Sequence, residues 1–147
     1  MTSKIELIRN YYSDLDNSRD TVASLATALF DEQVVARMGN NPSVVGRENL
    51  IEMLSRTRSS LERSIHTWPL IHKINENLFI GEGHVKYFLK NGIITEEIPA
   101  CVVYEFKPNT DLVIRYQAYV NQTPVLVASG FDVSGDESGK LIIKQRP

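Results

Sequence analysis

The spacing of hydrophobic residues predicts helices in the first part of the chain. Ser3 and Glu6 have the spacing of a capping box and precede an apolar stripe, so we predict a helix over residues 3–16. Asp20 can cap a second helix over 20–30 through its side-chain oxygen. The apolar stripe of the first helix consists of Ile5, Ile8, Tyr12 and Leu15.

A short strand and a third helix are expected next. Residues 34–38 begin with two valines and end at the turn-forming residues 39–42, which is typical of a strand followed by a turn. A new apolar stripe begins after Gly46 and predicts a helix over 47–62. The helices are therefore expected to come early, before most of the strands.

From residue 64 onward the pattern changes to the alternation that is typical of strands. We expect a bulge or bend at Pro69, because proline interrupts a strand ladder. Asn91 and Gly92 lie between two runs that are rich in β-branched residues, and Asn-Gly is a strong β-hairpin signal. We therefore predict one strongly bent antiparallel sheet over residues 64–121.

This order of elements predicts an α+β fold. We expect a cone-shaped roll, in which a curved antiparallel sheet wraps around three N-terminal helices and leaves a conical cavity. The 147 residues suit a single domain, with its core at about 4–126 and a C-terminal tail over 127–147 that is either mobile or pairs with a sheet edge.

Composition excludes several classes of function. The net charge of −2 lacks the basic excess of nucleic-acid-binding proteins, and Cys101 is the only cysteine, so no internal disulfide is possible. The three histidines lack metal-ligand spacing, and no dinucleotide, nucleotide or serine-hydrolase motif occurs, so we expect neither a metal nor a cofactor. Without an apolar run of about 20 residues or a secretory signal, we expect a cytoplasmic protein that does not bind membranes.

Three short segments accompany this order of elements: Leu29–Arg37, Val45–Ile51 and Tyr119–Pro124. Together with the order, they resemble the SnoaL-like superfamily. The superfamily includes polyketide cyclases, ketosteroid isomerase, limonene epoxide hydrolase and nuclear transport factor two. The resemblance covers residues 4–126 and implies that side chains from the first helix, the first strand and the later strands point into a conical pocket.

The resemblance implies four catalytic residues, His66, Arg37, Tyr11 and Asn121. Tyr11 matches the tyrosine that holds the oxyanion in ketosteroid isomerase, and Arg37 matches the position of that enzyme's base. An arginine cannot accept a proton at neutral pH, so the base would be His66, the side-chain type that changes charge near neutrality. Asn121 matches the catalytic aspartate of polyketide cyclases. Arginine and histidine at these two positions also resemble a fungal natural-product isomerase branch.

The same resemblance implies a set of substrate-binding residues. Alternative orientations remain open for several of them. A shift of one residue in strand register would turn His84, Lys86 and Phe88, on the strand before the Asn91-Gly92 turn, toward solvent. His66 can equally be a hydrogen-bonded core histidine, and Arg37 a solvated edge residue. The implied pocket residues are Trp68, His84, Lys86, Phe88, Gln117, Tyr119 and Met53.

Two functions remain possible from the sequence. The first is a cofactor-free isomerase or cyclase that rearranges a small, hydrophobic, polycyclic natural-product ketone or enol by acid–base and oxyanion catalysis. The second is a non-catalytic, dimeric ligand-binding or protein-interaction module of the same fold. A cavity that contains both Arg37 and His66 would favour the enzyme. In either case, we expect a homodimer through the sheet face that points away from the helices.

Overall fold

The computed structural model describes residues 1–17 and 22–147. The predicted cap Asp20 lies outside the described residues. The helices are α1 (Lys4–Asn17), α2 (Val22–Leu29), α3 (Arg47–Arg58) and α4 (Thr123–Ala128). The strands are β1 (Phe30–Met38), β2 (Val44–Val45), β3 (Leu61–Lys73), β4 (Leu78–Leu89), β5 (Ile98–Phe106), β6 (Val113–Val120), β7 (Phe131–Gly135) and β8 (Leu141–Gln145).

Helix α1 begins with the predicted capping box. The backbone N–H of Ser3 donates to the Glu6 carboxylate at 2.8 Å, and the backbone N–H of Glu6 donates to Ser3 Oγ at 3.2 Å. The bond from the Ser3 backbone N–H lowers the pKa of Glu6, because it favours the ionised carboxylate, and the Ser3 side chain adds to this effect. The start of the first helix is therefore confirmed.

Helix α3 ends earlier than predicted. It stops at Arg58, and β3 already begins at Leu61. The hydroxyl of Ser59 donates to the carbonyl of Arg56 at 2.7 Å. This bond satisfies a carbonyl that would accept from a backbone N–H of the next turn if the helix continued. The short connection brings the end of α3 close to the start of β3.

One curved sheet of six strands has the order β2-β1-β6-β5-β4-β3. The pairs β3–β4, β4–β5 and β5–β6 are antiparallel, as predicted for residues 64–121. Strand β1, which lies outside that range, pairs with β6 in parallel, so the complete sheet is mixed. It joins the sheet after two helices, so no hairpin fixes its direction.

The predicted irregularity at Pro69 is a β-bulge. Thr67 pairs with His84 and Leu70 pairs with Glu82, so Trp68 and Pro69 together lie opposite the single residue Gly83. A Cβ atom at Gly83 would lie 1.8 Å from the Thr67 carbonyl oxygen, so only glycine allows this approach. The bulge bends β3 where it passes α1.

The Asn91-Gly92 hairpin is also confirmed. Gly92 has φ 88°, and the backbone N–H of Leu89 donates to the Ile93 carbonyl at 2.9 Å. The continuous ladder of β5 starts only at Ile98, because residues 94–97 meet β4 through a single bridge and an irregular connection. The hairpin thus closes with a wider loop than the sequence suggests.

The C-terminal tail forms its own elements. Strands β7 and β8 pair only with each other, in a separate two-stranded antiparallel sheet, so the tail is not an edge strand of the main sheet. Asn91 Nδ2 donates to the Ala128 carbonyl at 2.8 Å, which ties α4 to the β4–β5 hairpin.

The hydrophobic core lies between α1, α2, α3 and the inner face of the sheet. Its largest fully buried side chains include Tyr104, Phe30, Phe106 and Ile8. Tyr104 is 0% exposed and its hydroxyl donates to the Tyr12 hydroxyl at 2.7 Å, so the core keeps a satisfied polar contact. No helix in residues 1–17 and 22–147 is long and apolar enough to cross a membrane.

Candidate active site

A cavity of about 340 Å³ lies inside the cone, and we call it the inner cavity. Leu126 of α4 and Phe131 of β7 line it, so the C-terminal segment helps to enclose it. Most of its other polar side chains are aromatic or cationic. These are Tyr11, Tyr12, Arg56, Arg58, His66, Tyr87 and Tyr116.

His66 and Asp16 form a hydrogen-bonded pair at the wall of this cavity. His66 Nδ1 donates to Asp16 Oδ1 at 2.6 Å, and the backbone N–H of His66 donates to Asp16 Oδ2 at 2.6 Å. Both side chains are about nine-tenths buried, with 11% and 10% exposed. Because Nδ1 is bound to the carboxylate, the neutral imidazole has its lone pair on Nε2, where it can accept a proton. We call the pair the Asp16–His66 dyad.

Two further residues fix the carboxylate of the dyad. Ser64, which is 0% exposed, donates from Oγ to Asp16 Oδ1 at 2.8 Å. Arg58 Nη1 donates to Ser64 Oγ at 3.0 Å, and its Nη2 donates to the Leu15 carbonyl at 3.4 Å. The carboxylate thus accepts three hydrogen bonds, and groups from α1, α3 and β3 determine its position.

Aromatic rings pack the imidazole into place. The Tyr12 ring lies 4.7 Å from the His66 ring, centroid to centroid, and the Trp68 ring lies nearly parallel to His66 at 6.2 Å. The bulge places Trp68 against Tyr12, with 5.1 Å between the centroids. The orientation of His66 therefore depends on packing as well as on the bond to Asp16.

The tyrosines of the cavity keep their protons at neutral pH. Burial raises the pKa of Tyr11 well above that of a free phenol, and it does the same for Tyr116 despite a hydrogen bond with Tyr12. Within the described part of the chain, the Tyr11 hydroxyl has no hydrogen-bond partner. Tyr11 and Tyr116 can therefore donate to an oxygen atom of a ligand in the inner cavity.

A second pocket of about 310 Å³ lies on the other side of the dyad. Asp16, His66 and Trp68 line it, together with Arg9 and Arg63. Trp68, predicted as a pocket residue, belongs to this pocket and is absent from the inner-cavity lining. His66 can therefore be reached from both sides, while Asp16 faces the second pocket only.

The predicted inward orientation of Arg37 is wrong. Val34 and Ala36 are each 0% exposed, and the alternation of β1 turns Arg37 to the outer face of the sheet. There its Nε donates to the Asn41 carbonyl at 3.2 Å. Arg37 and His66 thus lie on opposite faces, and the pair that resembled the fungal isomerase branch does not share a cavity.

The predicted orientation of β6 is wrong by one residue. Tyr116 and Ala118 face the core, whereas Gln117 and Tyr119 lie on the outer face, where Tyr119 is 49% exposed. Arg115 also lies on the outer face and forms an ion pair with Glu105 on β5. Tyr116 and Ala118 of β6 pack against the core. Gln117 and Tyr119, which the resemblance implied as pocket residues, therefore lie away from the cavity.

Asn121 also lies outside the inner cavity. It follows the end of β6 and is exposed, and its Oδ1 accepts a hydrogen bond from the Thr123 backbone N–H at 3.0 Å. This contact is a turn at the start of α4. Met53 packs against the core from α3, away from the lining of the inner cavity.

The three hairpin-strand residues predicted to face inward point outward instead. Val85, Tyr87 and Leu89 occupy the inner face of β4, so His84, Lys86 and Phe88 occupy the outer one. His84 Nε2 lies 3.5 Å from the Glu97 carboxylate, and Lys86 Nζ lies 5.8 Å from the centroid of Phe88. Both contacts therefore lie on the outer face of the sheet, outside the inner cavity.

Sequence reasoning missed Asp16, Ser64 and Arg58 as site residues. A signal for Asp16 exists: it lies four residues after Tyr12 and so continues the buried stripe of α1. A carboxylate in the last turn also opposes the helix dipole, which is unusual without a compensating partner. Within residues 1–17 and 22–147, no cluster of three or more His, Cys, Asp or Glu side chains is arranged to hold a metal ion.

Comparisons with known proteins identify the fold. No family model and no curated protein sequence matches the chain. Solved structures do match. A protein assigned as a SnoaL-like polyketide cyclase from Jannaschia sp. CCS1 is 10% identical with a TM-score of 0.71, and the match covers 85% of this chain and 90% of that one.

Two other structures agree. A Catenulispora acidiphila protein with a ketosteroid isomerase-like fold is 17% identical with a TM-score of 0.70, over 88% of this chain and 95% of that one. An LEH-like epoxide hydrolase from M. tuberculosis is 12% identical with a TM-score of 0.65, over 82% and 84%. The chain therefore has the cone-shaped α+β fold of the SnoaL-like, ketosteroid isomerase-like and NTF2-like proteins.

Proposed function

We propose that the chain is a cytoplasmic, cofactor-free isomerase or cyclase in which the Asp16–His66 dyad transfers a proton to and from a ligand in the inner cavity. One observation carries this proposal. A nine-tenths buried histidine has one ring nitrogen bound to a carboxylate and lies on the wall of a cavity that is rich in phenol donors. In this arrangement the imidazole has a fixed tautomer and a free acceptor nitrogen.

The proposed reaction begins at a carbon next to a carbonyl group. The C–H bond breaks, its proton moves to Nε2 of His66, and its electron pair moves onto the carbonyl oxygen as an enolate. The hydroxyls of Tyr11 and Tyr116 donate to that oxygen, and each such donor contributes about 3 kcal/mol in a water-excluded site. Return of the proton to another carbon gives an isomer. Attack of the enolate carbon on a second carbonyl, followed by protonation of the new alkoxide by His66, closes a ring.

The cavity volume limits the substrate. A cavity of roughly 150 Å³ can bind benzene, so 340 Å³ suits a compound of two or three fused rings. Leu15, Leu54 and Val125 supply apolar walls for such rings. We therefore propose a small polycyclic ketone or enol of the natural-product type.

The alternative function is a ligand-binding module without catalysis. Its support is that Arg37 and Asn121, two of the four residues implied as catalytic, lie outside the inner cavity. The dyad argues against this alternative, because a binding wall needs no buried carboxylate held by three donors. Both functions require the same cavity, so only a proton-transfer measurement separates them.

Exchange of the C1 protons of 2-tetralone in D₂O, followed by ¹H NMR, tests the proposal. We expect the wild-type protein to accelerate this exchange above the buffer rate, and His66→Ala to lower the accelerated rate by at least about a hundredfold, because it removes the general base. His72→Ala is the matched control. His72 is on the same strand and contacts Glu82 at 2.9 Å, but both side chains are exposed.

The control should exchange 2-tetralone at the wild-type rate. If the wild-type protein binds 2-tetralone without accelerating exchange, the chain is a binding module. If His66→Ala remains folded and exchanges at the wild-type rate, the base is another group.

We also propose that the chain is a homodimer through the outer face of the sheet. Val35, Ile65 and Tyr119 lie on this face and are 40%, 36% and 49% exposed, which supports a contact that covers them. Sedimentation velocity at micromolar concentration should give the mass of a dimer, and Tyr119→Glu should shift it toward the monomer. A monomeric wild-type protein at that concentration would rule the dimer out.

A further inference from the structure

The inner cavity contains an arginine that forms no direct ion pair with a carboxylate in the described part of the chain. Its lining includes two arginines, Arg56 and Arg58, and no aspartate or glutamate among the described residues. Arg56 is 76% exposed in its side chain and forms an ion pair with Glu52 at 2.7 Å. Arg58 has no carboxylate within ion-pair distance in the described ranges.

Arg58 differs in this respect from the other half-buried arginines. Arg47 pairs with Glu32 at 3.6 Å, and Arg115 pairs with Glu105 at 2.6 Å. Arg58 instead donates to two neutral oxygens, a serine hydroxyl and a backbone carbonyl. A guanidinium has five N–H groups, so three remain for another acceptor.

The charge of Arg58 lies beside two phenols of the same cavity. It lowers the pKa of Tyr11 and Tyr87 in part, although burial is the larger cause and raises both. Arg58, Tyr11 and Tyr87 all line the inner cavity. Thr57 and Ser60 add hydroxyl groups to the same lining. The cavity therefore offers a cluster of hydrogen-bond donors around one cation.

We infer that the substrate of the inner cavity carries a carboxylate group, which Arg58 binds together with the Tyr87 hydroxyl. A guanidinium and a carboxylate form charge-assisted, paired hydrogen bonds, and partial burial weakens their screening by salt. This inference rests on the proposed function, in which Tyr11 and Tyr116 donate to the enolate oxygen. Binding of the carboxylate by Arg58 and Tyr87 leaves those two hydroxyls available for that role. The substrate class then becomes a small cyclic keto acid.

A matched pair of ligands tests the inference without turnover. Isothermal titration calorimetry of the wild-type protein should show that 2-naphthoate binds at least about tenfold more tightly than 2-naphthamide, which has the same shape and no charge. Arg58→Met should reduce the affinity for 2-naphthoate to that for 2-naphthamide. Arg56→Met is the matched control, because Arg56 lines the same cavity at its exposed rim and already has a carboxylate partner.

Two outcomes would overturn the inference. The first is that the wild-type protein binds 2-naphthoate no more tightly than 2-naphthamide, or binds neither ligand. The second is that Arg56→Met loses as much affinity for 2-naphthoate as Arg58→Met does. If Arg58→Met does not fold, the test uses the ratio of the wild-type affinities for 2-naphthoate and 2-naphthamide together with Tyr87→Phe. We expect Tyr87→Phe to weaken the binding of 2-naphthoate but not that of 2-naphthamide. Failure of the proposed catalysis would look different. In that case 2-naphthoate binds selectively and 2-tetralone exchange stays at the buffer rate.

Discussion

Asp16→Asn is expected to slow 2-tetralone exchange by about a hundredfold or more while the protein remains folded. The amide has the shape of the carboxylate, but only one of its two terminal atoms can accept a hydrogen bond. It therefore cannot accept both from Ser64 Oγ and His66 Nδ1, which bind Oδ1, and from the His66 backbone N–H, which binds Oδ2, so the imidazole loses its tautomer and orientation. The variant also lacks the negative charge of Asp16, which stabilises the protonated His66 ring. The measurement is the exchange rate by ¹H NMR, with circular dichroism to verify folding.

Asp14→Asn is the matched control for this change. Asp14 lies on the same helix two residues earlier and is exposed, so the variant removes one helix carboxylate without touching the dyad. We expect its exchange rate to equal that of the wild type. Similar losses in Asp14→Asn and Asp16→Asn would mean that the charge of the helix, and not the contact with His66, controls the rate.

Gly83→Ala is expected to lower the free energy of unfolding by about 3 kcal/mol, at the high end for overpacking. The new methyl group would lie 1.8 Å from the Thr67 carbonyl oxygen and 3.0 Å from Trp68 Cε3, so the bulge in β3 must open. Trp68 packs against Tyr12 and the dyad imidazole. The variant should therefore lose exchange activity as well as stability, as measured by urea unfolding and NMR.

Gly135→Ala provides the control for Gly83→Ala. Nothing lies within 4 Å of a Cβ atom at Gly135, which belongs to β7 in the separate C-terminal sheet. We expect its unfolding curve to overlay that of the wild type within about 0.5 kcal/mol. A Gly83→Ala protein that is as stable as Gly135→Ala would show that the close approach across the bulge relaxes without cost.

Local signals predicted much of the fold. The capping box of Ser3 and Glu6, the bulge at Pro69 and the Asn91-Gly92 hairpin each depend on residues close together in the chain, and all three are present. The direction of β1 could not be read in this way. It pairs with β6, about 80 residues later, so tertiary packing alone decides whether the pair is parallel or antiparallel.

The site was less predictable, for two physical reasons. Strand alternation makes an error of one residue reverse a whole face, which is why Arg37, Gln117 and Tyr119 were assigned to the wrong side. The dyad joins residues that are 50 positions apart, so no local pattern connects Asp16 to His66. That Ser64, His66 and Trp68 share one strand face could be predicted, because their two-residue spacing fixes it.

The double variant Asp16→Asn/His66→Ala tests most directly whether the two residues act as one catalytic unit. If they do, its 2-tetralone exchange rate will equal that of His66→Ala alone, because Asp16 has no role once the imidazole is gone. If the two losses instead multiply, each residue acts on the ligand independently. That result would contradict the central claim that Asp16 works by holding the base His66.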